Sequence, residues 1–311
     1  MNFAANFLRS SRSSTKRADG RERERGWALV SVLWALAILS MMAAATEALT
    51  VSSARITHRA YDQARIEADI HAAVVRAVLA IDDQRVNARW RVDGVPQPFT
   101  FDGLSMMVAV QDQAGLIDLN VADQDTLAGL FTFAGLAPDA AKTLAANVND
   151  WREPINSDDD PSRKLGTTDG LYANTGYKPR HNPFQTVNEL KLVAGMPPAL
   201  FARVAPALTV YSRDSDVDED TAPLIVLNAL NPGDPGKAMQ ALHARDNPSA
   251  SADGSAKPDG PPGVVSSSGT SWGHSYSVTI VAAPDGRHIV RSAVVEPTGD
   301  PDRPYLTEAW N

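Results

Sequence analysis

The chain has 311 residues, a formal net charge of −8 and no cysteine. That length holds one large domain or two modest ones, and the acidic balance disfavours a nucleic-acid role. Without thiols there are no disulfides, no Cys-ligated zinc and no thiol nucleophile, so an exported chain of this kind needs another staple for any loop-rich region.

Residues 1–26 form a leader carrying Arg9, Arg12, Lys16, Arg17, Arg21, Arg23 and Arg25, and it ends in Gly26. From Trp27 to Ala45 no residue is charged, and Ser31 and Ser40 carry the only hydroxyls. About twenty apolar helical residues cross a bilayer core, so this run just spans one. Three readings fit. A cleavable secretory signal has a shorter core of roughly 7 to 15 residues and a small-residue exit, for which Ala43-Ala44-Ala45 is a candidate. A permanent signal anchor is the second. The third is the layout cut by a prepilin peptidase, with cleavage between Gly26 and Trp27, so that the apolar helix is kept. In each case the basic leader stays in the cytoplasm and the residues after Glu47 are sent across.

From Thr46 onward the sequence has no Pro and no Gly until Gly94. Ile66, Ile70, Ala73, Val74, Ala77, Val78 and Ile81 recur at helical steps, and Arg55, Arg59, Arg65, Glu67, Asp69 and Arg76 lie largely off that face. One helix from Trp27 to about residue 83 would be roughly 85 Å long. Its first half sits in lipid and its second half packs on a globular domain. A coiled coil is the competing reading, but the Ala-rich face lacks sustained Leu or Ile heptads.

Residues 86–103 read as a loop with Pro96, Pro98 and Gly103. "LSMMVAVQDQAGLIDLN" (104–120) reads as two short strands around a turn. Residues 123–152 are helical with a break at Gly135 and Pro138, and 153–185 form a polar irregular loop. Thr186 to Ser212 gives two short helices and a strand, and the stretch from Thr221 to Asp246 two more helices. Residues 246–271 are low in complexity and read as a flexible segment. A β-hairpin with its turn at 284–286 closes the chain.

An internal echo links "IDLNVADQDTLAGL" (117–130) to "VDEDTAPLIVLNAL" (217–230) at an offset of one hundred, matching Asp118 to Asp218, Ala122 to Ala222, Leu127 to Leu227 and Leu130 to Leu230. Each copy reads as a strand end, a capping residue and a helix, the alternative being two such junctions alike by chance. The sheet is therefore expected to be left near residue 120 and regained near 213. This predicts an α+β fold: a long N-terminal helix on an antiparallel sheet, with an α-helical subdomain inserted between strands. The expected divisions are 1–26, 27–46, 47–120, 121–212 and 213–311.

Catalytic motifs are absent from the sequence. "GDPGKA" ends like a phosphate loop, but Asn231 and Ala238 replace its required Gly and Ser/Thr. There is no H-E-x-x-H and no G-x-S-x-G, and the six His are scattered. The chain reads as a non-enzyme. The acidic loop "DWREPINSDDDPSRKLGTTDGLY" gathers Asp150, Asn156, Asp158, Asp159, Asp160 and Asp169. Calcium takes six to eight oxygens from flexible loops, so Ca²⁺ is a plausible staple, held by Asp158, Asp159, Asp160 and Asp169 with Asp150 or Asn156 assisting. A merely solvated acidic loop is the alternative.

The segments "RGWALVSVLWALAILS", "LIDLNVADQDTLAGLF", "NDWRE", "NPFQTVNELKLVAGMPPALFARVAPALTVY" and "DTAPLIVLNAL" resemble, in that order, the minor pseudopilin K family of bacterial type II secretion systems. The resemblance implies a pilin-like domain with a helical insertion. It further implies single-pass anchoring in the inner membrane with a periplasmic head, processing at Gly26 and Trp27 by prepilin peptidase, and N-methylation. The implied place is the pseudopilus tip, where the chain starts assembly and supports export of folded periplasmic proteins. The implied partners are minor pseudopilins I and J, the inner-membrane secretion platform and secreted substrates. Calcium in the acidic region also belongs to that family, though the usual Gly-Ala-Glu-Asp reads Gly166-Thr167-Thr168-Asp169 here and loses the Glu. Most pilin-like subunits carry Glu at the fifth mature position. Here it is Ser31. A carboxylate in lipid needs a partner, and a subunit with nothing ahead of it has none, so Ser31 fits a tip protein. Partner contacts are expected along Ile66, Ile70, Val74, Val78 and Ile81. The competing function is a membrane-anchored periplasmic binding or enzymatic domain that never polymerises.

Overall fold

The computed structural model describes residues 19–81, 83, 89–154, 169–246, 273–300 and 302–310. The chain divides into two compact units, Met1–Ile66 and Glu67–Asn311. Helix α1, Asp19–Ile81, runs 63 residues. Beyond Gly26 it contains neither Gly nor Pro and is rich in Ala and Leu, so nothing in its interior breaks the backbone ladder. In the first unit the helix is exposed from Trp27 to Ala45.

In the second unit the end of α1 meets a five-stranded antiparallel sheet. The strands are β1 (Gln97–Phe101), β2 (Leu104–Asp112), β5 (Tyr276–Ala282), β6 (Ile289–Asp300) and β7 (Arg303–Trp310), in the spatial order β1-β2-β5-β6-β7. Period-two alternation buries Met106, Val108 and Val110 on β2 and Tyr276, Val278, Ile280 and Ala282 on β5. The buried face of α1 is Ile70, Ala73, Val74, Ala77, Val78 and Ile81. Arg291 on β6 donates to Glu67 at 2.7 Å, and His71 stacks on Trp310 with ring centroids 4.5 Å apart. Helix and sheet thus cover each other's apolar faces, as the sequence pattern predicts.

Three details differ from the sequence expectation. Part of the expected loop 86–103 is strand β1. Its tip, Asp102-Gly103, has φ of 45° and 84°, the two positive values a type I′ hairpin turn requires. Pro98 is tolerated because β1 is an edge strand. The terminal hairpin is a three-stranded meander, since β6 continues to Asp300 and β7 follows. The chain also leaves the five-stranded sheet at Asp112 and rejoins it at Tyr276, outside the expected 120 and 213. The strands placed near those positions, β3 (Ile117–Asp118) and β4 (Leu208–Thr209), pair in parallel with each other and not with the sheet.

Everything between β2 and β5 that is described is the helical subdomain. It holds α2 (Gln124–Phe133), α3 (Pro138–Arg152), α4 (Pro198–Val204), α5 (Leu224–Leu230) and α6 (Pro235–Asp246). Its contiguous apolar core runs from Leu116 to Ala238 and takes no residue from α1 or the five-stranded sheet. The expected flexible segment falls, beyond Asp246, outside the described residues.

The echo is a repeated device. Ala122 N–H donates to Asp118 O at 2.9 Å, and Ala222 N–H to Asp218 O at 3.0 Å. The side chains of Asp118 and Asp218 each accept from the amide two residues on, at 2.7 and 2.9 Å. Each turn is then clamped by an Arg from the second helix after it. Arg152, at the end of α3, donates to Leu119 O and Ala122 O, both at 2.7 Å. Arg245, near the end of α6, donates to Asp220 O and Ala222 O, both at 3.0 Å. The two copies face each other where Gly129 on α2 meets the carbonyl of Ala229 on α5. A Cβ at Gly129 would lie 2.5 Å from that oxygen, so only glycine allows the helices to approach this closely.

Candidate functional site

Trp27–Ala45 is long and apolar enough to cross a membrane, with mean hydropathy 2.2. Gly26 lies inside α1, immediately before it. Ser31 Oγ donates to Ala28 O one turn back, at 2.9 Å. The hydroxyl is therefore satisfied within its own helix and needs no partner from another chain.

The face of α1 expected to meet partners is occupied. Ile70, Val74, Val78 and Ile81 are buried in the second unit's own core, and only Ile66 is half-buried. The periodicity marks a buried face correctly. The sheet of the same chain, however, is what buries it, so those side chains are not available as a docking stripe. A second run at helical spacing is left largely open in the second unit: Ala68, Val75 and Leu79 are exposed and Ala72 is half-buried, with Val75 at 40 % and Leu79 at 59 % exposure.

Of the expected calcium ligands, Asn156, Asp158, Asp159 and Asp160 lie outside the described residues, as does the side chain of Asp169. Asp150 sits half-buried on the last turn of α3. Among the described residues no three His, Asp or Glu side chains converge as a metal site. The flank of the loop is nevertheless well built. Trp151 packs against Tyr172, Tyr177 and Phe184 with centroids 5.8 to 6.5 Å apart. Tyr172 Oη accepts from Ala194 N–H at 2.8 Å, and the His181 ring meets Asp150 O at 3.0 Å. Beside Asp150, Asn149 Oδ1 is buried with no hydrogen-bond partner among the described residues. Nothing in the local sequence distinguishes Asn149 from a solvated amide; its burial does.

A cleft of about 530 Å³ separates the subdomain from the outer face of the sheet. Ala109, Gln111, Ser277 and Thr279 floor it, and Pro206, Tyr211 and Pro223 help wall it. Burial pushes the Tyr211 phenol up, and Glu308 adds to the effect. At one side stands Asp93, whose side chain is fully buried. Arg91 Nε donates to both its oxygens at 3.1 Å, Val95 N–H donates at 3.3 Å, and Arg245 Nε lies 3.7 Å away. Arg91 also reaches Asp246 at 2.9 Å. Its guanidinium is held above the ordinary value chiefly by Asp93, against the effect of burial. This network ties the segment before β1 to the end of α6. It was invisible in the sequence, where Asp93 and Arg245 stand far apart.

Residues 105–213 match the family described as type II secretion system (T2SS), protein K. These residues are similar to a type II secretion protein K domain. That domain takes in β2 to β4 and the Asp118 half of the echo. The type II secretion system protein K of Pseudomonas aeruginosa PAO1 is 26 % identical over 251 residues, which cover 72 % of this chain and 73 % of that protein. The protein of the same name from Klebsiella pneumoniae is 28 % identical over 211 residues, 59 % of this chain and 62 % of that one. In fold, the chain is similar to a chain in the crystal structure of the GspK–GspI–GspJ complex of the enterotoxigenic Escherichia coli type 2 secretion system. The TM-score is 0.50 at 14 % identity, over 83 % of this chain and 98 % of that chain. The chain thus resembles protein K in domain, in sequence and in fold.

Proposed function

We propose that this chain is the minor pseudopilin K of a type II secretion system, set at the pseudopilus tip, where it starts assembly and supports export of folded periplasmic proteins. The protein K domain of residues 105–213, in a chain that also carries the apolar span Trp27–Ala45, is the observation that carries this reading. In the single-pass arrangement the leader is cytoplasmic and the second unit periplasmic, anchored in the inner membrane. Minor pseudopilins I and J are the proposed partners, by analogy with the named components of the similar complex. The secretion platform and secreted substrates follow from the same reading. The open run Ala68, Ala72, Val75 and Leu79 is where another helix can pack. The neutral Ser31 suits a subunit with no ammonium ahead of it.

Processing tests the reading directly. Prepilin peptidase is expected to cut between Gly26 and Trp27, leaving Trp27 as the mature, N-methylated end. Intact-mass measurement should find that species, and Gly26→Val should leave the full-length chain. A start near Thr46, or an uncut wild type, would sink the pseudopilin reading and favour an anchored domain.

Calcium is proposed as the staple of the acidic loop, with Asp158, Asp159, Asp160 and Asp169 as ligands, Asp150 or Asn156 assisting, and Asn149 Oδ1 as a further oxygen. An ion at a hundred times its Kd stabilises the folded state by about 2.7 kcal/mol. For a domain of this size that corresponds to several degrees in Tm. Melting with millimolar calcium and with chelator should differ by that amount, and coincident curves would return the loop to a solvated one.

A further inference from the structure

We propose that His274 is a pH-sensitive latch between the sheet and the helical subdomain, closed when its imidazole is protonated. The subdomain joins the sheet through two crossovers, one leaving β2 after Asp112 and one entering β5 at Tyr276. These two residues are cross-strand partners. Gln113 N–H donates to Ser275 O at 2.9 Å, closing the junction by one more backbone bond. Asp112 is buried there. Its Oδ1 accepts from Ala114 N–H at 2.9 Å, and its Oδ2 lies 3.7 Å from His274 Nδ1. Among the described residues His274 is the one ion-pair partner of Asp112. A buried carboxylate therefore depends on a half-exposed imidazole for its counter-charge, and that imidazole loses its charge near neutral pH.

The other charged groups around the junction act in the same direction or pair among themselves. Asp218 and Asp214, on the acidic loop that opens the second copy of the echo, raise the His274 pKa by their fields. Asp218 N–H donates to Ala114 O at 2.9 Å, so this loop is docked on the turn that Asp112 caps. Glu308 on β7 accepts from Ser275 Oγ at 3.0 Å and pairs with Arg213 at 3.1 Å. The pKa of His274 is raised from 6.5, first by Asp112, against burial, and then by the Asp112, Asp218 and Asp214 charges. A raised folded-state pKa stabilises fully below the unfolded value of 6.5, and the stabilisation is lost as pH rises through the folded value. The latch thus holds under mildly acidic conditions and releases as the medium becomes more alkaline. β2 and β5 also supply the floor of the cleft through Gln111, Ser277 and Thr279, so release frees the subdomain over that cleft.

Hydrogen exchange of the detergent-solubilised full chain from pH 5.5 to 8.5, corrected for intrinsic rates, tests this, with an NMR titration of labelled histidine alongside. His274 should titrate above 6.5. Protection of residues 112–116, 214–221 and 273–279 should fall several-fold through that same pH. His274→Gln should show the high-pH level throughout, whereas His274→Lys, which keeps a cation, should stay protected across the range. Titration at or below 6.5 would overturn the latch. So would a pH step that survives in His274→Gln, or a Lys variant that opens as the Gln variant does.

Discussion

Val74→Asp is expected to destabilise the head strongly, and Val75→Asp, one residue along the same helix, to leave its stability nearly unchanged. Val74 is 1 % exposed and sits in the middle of the α1 face that covers the sheet. An unpaired buried charge there costs on the order of 4 kcal/mol or more. Against a typical total stability of about 5 to 15 kcal/mol that is a large share. It corresponds to a fall in Tm on the order of 10 °C for a domain of this size. Val75 is exposed on the open run, so its substitution should change stability by no more than about 0.5 kcal/mol. Under the proposed function, Val75→Asp should instead weaken co-purification with the other minor pseudopilins. Urea titration followed by circular dichroism separates the two variants. If Val74→Asp melted within two or so degrees of the parent, roughly 0.5 to 1 kcal/mol, the helix–sheet core would be mistaken.

Asp93→Ala is the second large effect expected. The substitution leaves the Arg245 guanidinium, 8 % exposed, without its counter-charge, and strips Arg91 of its main partner. Breaking a buried pair by removing one member costs about 3 to 5 kcal/mol. Arg245 also clamps the turn at Asp220 and Ala222, so the damage should spread into the second copy of the echo. Arg213 provides the control. It pairs with Glu308 from a side chain that is 71 % exposed, and Arg213→Ala should cost no more than about 1 kcal/mol. Equal urea midpoints for the Asp93 and Arg213 variants would show that the network is not a structural tie.

The helices of the subdomain were legible because their signals are local. Gly135 and Pro138 separate α2 from α3, and Pro197-Pro198 opens α4, as the sequence predicts. Strand β1 carries a local signal as well: Asp102-Gly103 is a hairpin turn pair, although Pro98 interrupts the strand pattern before it. β3 and β4 are two residues each and exist only because Ile117 and Leu208 meet across ninety residues of chain. No local pattern announces a pairing of that kind. Asn149 was illegible for a related reason, since only burial shows that its carbonyl oxygen has no partner among the described residues.

By itself, the sequence determined the apolar span Trp27–Ala45, the long helix, the α+β class and the presence of two like aspartate-closed turns ahead of helices. Each depends on composition or periodicity within a short window, where side-chain spacing alone decides which face is apolar. Tertiary structure decided what those faces meet. It assigned Ile70, Val74 and Val78 to the chain's own sheet and left Val75 and Leu79 open, it moved the sheet's exit and re-entry to Asp112 and Tyr276, and it brought Asp93 to Arg245 and Asp112 to His274. A helical period states only that a face must leave water. Which surface covers it, and which charges become neighbours, depends on contacts between residues far apart in the chain.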